Sequence, residues 1–186
     1  MGTPTYGAKD SLLAFDTALP FDASSIPMIF DTETLTVDQE ILQDDGITGT
    51  RSQRVERTRF GKRRVSGQVV FDASPIMLDS LLYVINGTAE AADVFALAET
   101  LPSFYLMIAK GARDITFNNC ICTKAAFKAE PGAKLKLTMD IEAESFTNSA
   151  SGTLSAIGLA LPTDKPFSFS DLVATTFSAA RDIFTW

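Results

Sequence analysis

The sequence predicts a mainly β chain with one flanking α-helix, at about residues 75–86, and a long basic loop. Three observations carry this reading. Apolar and polar residues alternate on both sides of Glu130-Pro131-Gly132, as they do in a half-buried antiparallel hairpin. Ser74-Pro75 followed by Leu78, Leu81, Leu82 and Ile85, and then by Asn86-Gly87, has the start, the stripe and the stop of a single helix. Between Arg51 and Arg64 runs a cationic stretch with no apolar period.

The elements follow in chain order. Residues 1–25 are rich in Thr, Ala, Ser, Asp and Pro and read as an extended N-terminal arm that orders against something else. Ile26 to Val37 has the β-branched, Thr-rich character of a strand, with Pro27 placing its start at an edge. Asp44-Asp45-Gly46 turns the chain into the cationic run, which reads as a long loop or protruding hairpin. From Val65 a strand sets Val65, Gly67, Val69 and Phe71 on one face.

After the helix, residues 88–101 are ambiguous between loop and short helix. Phe104 to Ala109 is a compact apolar strand closed by Lys110-Gly111. Ile115, Phe117, Ile121, Thr123, Ala125 and Phe127 are expected on one face of the next strand, and Leu135, Leu137, Met139, Ile141 and Ala143 on one face of its return. Asp140, Glu142 and Glu144 then stand on the opposite, wet face. Asn148 to Thr153 reads as a flexible close to a domain spanning 26–150. Residues 151–186 read as a C-terminal extension, either the start of a second repeat or an end cut short at Trp186.

Composition narrows the chemistry. The 186 residues contain no histidine, which removes Ser-His-Asp and Cys-His nucleophilic machinery and the commonest zinc ligand. Cys120 and Cys122, at i and i+2, share a strand face and suit neither a disulfide nor a zinc cage, so reduced, buried or half-buried thiols are expected. No catalytic, metal or cofactor site is marked, and the chain is read as no enzyme. No apolar run approaches the ~20 residues of a membrane helix. The N-terminus has no basic region leading into a long apolar one, so synthesis in the cytoplasm is expected.

Charge is strongly segregated. Arg51, Arg54, Arg57, Arg59, Lys62, Arg63 and Arg64, with Glu56, give the run +6, while the chain as a whole carries −7. A nucleic-acid site would interleave such residues with stacking aromatics, and only Phe60 is present. A solvated loop is the plain alternative. The favoured reading is an inter-subunit loop that grips the acidic surface of a neighbouring copy, because a head-to-tail contact of this kind builds rings or open filaments.

The order of Gly46-Ile-Thr-Gly49-Thr-Arg51-Ser-Gln-Arg54, the Arg64-Val-Ser-Gly67-Gln-Val strand, the Ser74-Pro75 helix with Leu81-Leu82, Asn119-Cys-Ile, and the return ending Leu135-Lys-Leu-Thr-Met-Asp140 resembles the tail tube proteins of long-tailed bacteriophages of the siphophage type. The resemblance covers about residues 26–146. It implies an antiparallel β-sandwich or small barrel with one flanking helix, assembled as stacked rings into a hollow conduit for DNA ejection in the virion tail. It further implies homo-oligomeric rings, hexameric or pseudo-hexameric trimers, in contact with other tail proteins, with DNA passing through without sequence-specific binding. Many family members carry two copies of the fold, whereas residues 160–186 here resemble only the opening of a second. Within this picture Asp140, Glu142 and Glu144 become a candidate lumen face, where negative charge repels phosphates. An ordinary solvent face remains the plain reading of these three. The alternatives to a tube subunit are a distal tail or neck adaptor on the same fold, or a nucleic-acid-binding β module.

Overall fold

The computed structural model describes residues 12–42, 59–91, 94–111, 113–168, 174–176 and 179–181. Its main sheet contains eight strands: β1 (Leu13–Asp16), β2 (Ile26–Met28), β3 (Phe30–Glu33), β4 (Thr36–Leu42), β5 (Arg59–Asp72), β6 (Phe104–Ala109), β7 (Arg113–Lys128) and β8 (Lys136–Ala150). A separate pair joins β9 (Ala174–Thr176) to β10 (Ala179–Arg181). The helices are α1 (Pro75–Asn86) and α2 (Thr153–Ala156).

The strand order is β2-β1-β6-β7-β8-β5-β3, with β4 also on β5, and every pairing is antiparallel. Its two edges, β2 and β3, are separated in the chain by Ile29 alone. One descending path therefore leaves β1 and takes up β5, and this change of partner curls the sheet into a nearly closed antiparallel barrel. The single strand expected over 26–37 is realised as this bent path.

Inner-face residues Leu13, Phe15, Val65, Val69, Phe71, Leu106, Phe117, Leu137, Met139 and Ile141 fill one core. Alternation along β5 and β8 produces it, since every second residue points inward. Helix α1 adds Met77, Leu81 and Val84 at i, i+4 and i+7. The expected stripe of Leu78, Leu81, Leu82 and Ile85 is thus rotated by about one position, because Ile85 and Tyr83 only flank the core while Ile76 faces out. The bounds of α1 agree with expectation, and Gly87 closes it at φ 90° with its N–H on the Tyr83 carbonyl.

Four further expectations are corrected. Leu13–Asp16, expected in an unpacked arm, is an inner strand whose Leu13 and Phe15 enter the core while Ala14 packs with Met107 and Leu154 on the other side. Three consecutive buried residues, Leu13 to Phe15, display no period from which to read them. On β7, Cys120 and Cys122 are buried and Ile121 and Thr123 are not, because Asn119 takes φ 50° in a bulge against β6 that exchanges the faces; a second shift between Cys122 and Lys124 restores them, so Ala125 packs on the core and Phe127, though opposite Leu137, is half-exposed near the strand end. Residues 148–150 continue β8, paired to Ile115, Asp114 and Arg113. Beyond them α2 is tied down by buried Asp114, whose Oδ2 accepts the Leu154 N–H at 2.6 Å.

Part of the expected C-terminal extension also packs on the barrel. Phe167 lies against the core, donating its N–H to the Ala73 carbonyl and accepting the Leu135 N–H, both at 2.8 Å. Asp164 Oδ2 accepts the Ile76 N–H at 3.1 Å, at the first turn of α1.

Candidate functional site

Strand β5 is longer than its contact with β8. That pairing runs from Asp72↔Lys136 to Val65↔Ala143, whereas β4 follows β5 from Ser66 down to Arg59. Residues 36–42 and 59–64 consequently form a two-stranded ribbon projecting past the core. Opposed residues share a face. Val37, Gln39 and Ile41, with Arg63 and Phe60 opposite the last two, continue the core face outward, while Asp38 and Arg64 oppose each other on the other side. Phe60 is 73% exposed and Ile41 55% exposed, which is unusual for residues of this size.

The cationic run lies partly on this ribbon. Arg59, Lys62, Arg63 and Arg64 belong to β5, so this part of the run is strand rather than loop; Arg51, Arg54 and Arg57 lie outside the described residues. Arg63 Nη2 donates to Gln39 Oε1 at 3.3 Å, and its guanidinium stands 5.1 Å from the Phe146 ring centre. Arg64 pairs with Glu142. Among the described residues, the Arg59 and Lys62 side chains have no salt-bridge partner, although the Lys62 N–H donates to Glu40 Oε2 at 3.4 Å.

The acidic trio alternates with Met139, Ile141 and Ala143 on β8 and faces outward, as the period requires. Asp140 Oδ1 accepts from Gln68 Nε2 at 2.8 Å, and Glu144 Oε2 accepts from Asn119 Nδ2 at 2.6 Å. Glu142 takes Arg64, so the cationic strand and the acidic face meet, although the sequence suggested separate places for them. The pair is exposed and contributes about 0–1 kcal/mol. Lys124 stands opposite Asp140, and Lys62 lines the same hollow as Glu142 and Glu144, so cations and carboxylates are mixed on this face.

A second feature was not visible in the sequence. A groove of about 490 Å³ opens between α1, the β1–β2 connection and the segment after Gly87. Phe15, Ile26, Tyr83 and Phe95 supply its apolar lining, Asp16, Asp79 and Glu90 its charge, and among the described residues no Lys or Arg lines it. Its position follows from strand direction. The antiparallel steps β5-β8-β7-β6-β1 leave β1 running with β5, so Asp16 lies at the Asp72 end of the barrel, where α1 begins. The ribbon projects from the opposite, Arg59 end.

Catalytic chemistry finds little support. Burial pushes the Cys120 thiol from an ordinary 9.0 up to about 12 and the Cys122 thiol to about 11, so neither is a thiolate nucleophile near neutral pH. Among the described residues no group of three or more carboxylates or thiols is placed to hold a metal ion, and no helix is long and apolar enough to cross a membrane.

Comparison with known proteins gives a family and a fold. The family described as phage tail tube protein matches residues 2–183. No curated protein matches the chain. Among solved structures, the SPP1 tail tube is similar at 9% identity and TM-score 0.56, with 84% of this chain and 87% of that chain covered. The cap of the anti-feeding prophage, which terminates its tube, gives 11% identity and TM-score 0.55 over 81% of this chain and 95% of that one. A chain of the sheath-tube complex of an extracellular contractile injection system, in its extended state, gives 10% and 0.51 over 78% and 92%. At these identities the structures speak to the fold.

Proposed function

Because the chain belongs to the phage tail tube protein family, a structural component of the virion, we propose that it polymerises through its β4–β5 ribbon into stacked rings that enclose a conduit for DNA. The observation that carries this reading is the ribbon itself. Two strands without a third are marginal in water, and these expose Ile41, Leu42 and Phe60 as well. A neighbouring copy supplies the missing cover. Apolar contact then provides most of the affinity, while Arg59, Lys62 and, by sequence, Arg51, Arg54 and Arg57 set register and select the partner.

The role is structural rather than enzymatic and requires no cofactor. Asp140, Glu142 and Glu144 face the lumen in this reading. Their carboxylates hold the neighbouring Arg64, Lys124 and Lys62 in check, so phosphates find no free cationic track and DNA slides without sequence-specific recognition. The partners are further copies of the chain, in hexameric or pseudo-hexameric rings, and other tail proteins at the two ends.

The test is reversal of the ribbon's charge. Replacing Arg57, Arg59, Arg63 and Arg64 by Glu leaves the barrel folded by circular dichroism and abolishes the rings or filaments that concentrated wild-type protein forms under the electron microscope. Polymerisation that survives this change overturns the reading. Tight DNA binding by the wild-type protein, steeply weakened by salt, supports a nucleic-acid module instead.

A further inference from the structure

The groove beside α1 has walls that are fixed before anything enters it. On one side Asp79 and Tyr83 lie one turn apart on a single face of α1. On the second side the β1–β2 connection is pinned by Ser25, whose hydroxyl donates to Asp16 Oδ2 at 2.5 Å and accepts the Asp22 N–H at 3.0 Å. The third wall carries Phe95. It is held by reciprocal bonds between Ala91 and Val94 at 3.0 and 3.1 Å and by the Ala98 N–H on the Asn86 carbonyl at 2.8 Å. A pre-formed hollow of this kind loses little freedom when it is filled.

Its charge is of one sign. Asp16, Asp79 and Glu90 line it, with no Lys or Arg among the described residues. Asp16 already accepts from Ser25 and from the Ala18 N–H at 3.1 Å, so it supports the wall. Asp79 and Glu90, among the described residues, have no ion-pair partner. Beside them stand the half-buried rings of Tyr83 and Phe95, and aromatic faces attract cations and stack best with a planar one. The volume of about 490 Å³ is that of a small-ligand site, which suits a single extended segment rather than a two-stranded ribbon. We propose that the groove binds an arginine side chain presented by an extended segment of a partner protein, with Asp79 and Glu90 drawing its charge and the Tyr83 and Phe95 rings covering its stem. Lysine fits less well, because its compact, strongly hydrated ammonium gains less from stacking. An anionic ligand, nucleic acid included, is repelled by the same carboxylates. The groove lies at the pole opposite the ribbon, so occupancy neither needs nor blocks the ribbon of the same chain, and the assembly reading stands or falls separately.

The experiment titrates the isotope-labelled full chain with acetyl-Gly-Arg-Gly-amide while amide chemical shifts are recorded, below the concentration at which sedimentation velocity detects the onset of assembly. Saturable shifts are expected at Asp79, Tyr83, Glu90 and Phe95. The same peptide with citrulline for arginine, alike in shape but uncharged, should bind roughly tenfold more weakly. Asp79→Asn with Glu90→Gln changes only exposed side chains and should raise Kd roughly fivefold. Tyr83→Leu, which keeps both carboxylates, should raise it roughly threefold. Absence of saturable shifts overturns the site, and an equal response to the citrulline peptide overturns the cation. Shifts centred instead on Asp140, Glu142 and Glu144 overturn the groove, since any exposed carboxylate would then serve as well. Binding unchanged by Asp79→Asn with Glu90→Gln removes those two residues as ligands and the proposal with them. If the peptide also raises the onset concentration of wild-type assembly, the occupant is a second copy and the separate partner falls.

Discussion

At the scale of single residues, Gly67 shows most directly how the barrel dictates its sequence. Position 67 points inward on β5, where a side chain is expected, yet a Cβ there would lie 2.5 Å from the Thr34 carbonyl oxygen and 2.6 Å from the Leu35 Cα. Backbone occupies the space, and buried Leu35 fills the core in its place. Gly67→Ala is expected to cost about 1–3 kcal/mol through overpacking against main chain that cannot swing aside. Gly61→Ala meets only the Glu40 side chain, which can rotate away, and should cost far less. Urea denaturation of the two variants measures the difference, and equal midpoints would refute the steric argument. The glycine itself was legible in the Val-Ser-Gly pattern. Its reason was not, because Thr34 and Leu35 reach it only through the register of β3 and β4 on β5.

Among the elements, α1 has an N-terminus capped from a distance. Ser74 occupies the capping position with extended backbone, but its hydroxyl makes no cap bond and is buried without a partner among the described residues. Asp164 accepts the Ile76 N–H instead. Ser74 is therefore a reserve cap, able to rotate onto the first turn when Asp164 is removed. Ser74→Ala should be close to neutral and Asp164→Ala should cost well under 1 kcal/mol, while the double variant loses about 1–2 kcal/mol, more than the two singles combined. Strict additivity in a double-mutant cycle would refute the reserve role. Elements set by local pattern were read well: the bounds of α1, the strand Phe104–Ala109 and the alternation of β8 all follow from adjacent residues. Elements set by remote packing were not. Strand β1 is too short to show a period, and the Asn119 bulge inverts β7 over Cys120–Thr123 without any composition that marks it.

For the whole molecule the decisive quantity is the separation of charge, and this was legible from the start. The cationic run stands out in any count of the sequence, whereas the groove draws Phe15, Tyr83 and Phe95 from three distant segments and exists only once the barrel forms. Assembly that depends on these charges weakens with salt, since screening acts within about 8 Å at physiological ionic strength. The onset concentration should rise between 50 mM and 500 mM NaCl and then level off, as contacts of Phe60 and Ile41 persist where ionic ones fade. An onset indifferent to salt would remove electrostatics from the assembly.

Ribbon and groove at opposite poles of one barrel also make any filament of this chain directional. One terminus would display acidic hollows and the other cationic prongs. A protein that stops growth at the first needs cations of its own, and one that starts growth from the second needs carboxylates. The two stoppers of such a polymer are therefore unlike each other, and neither can take the other's place.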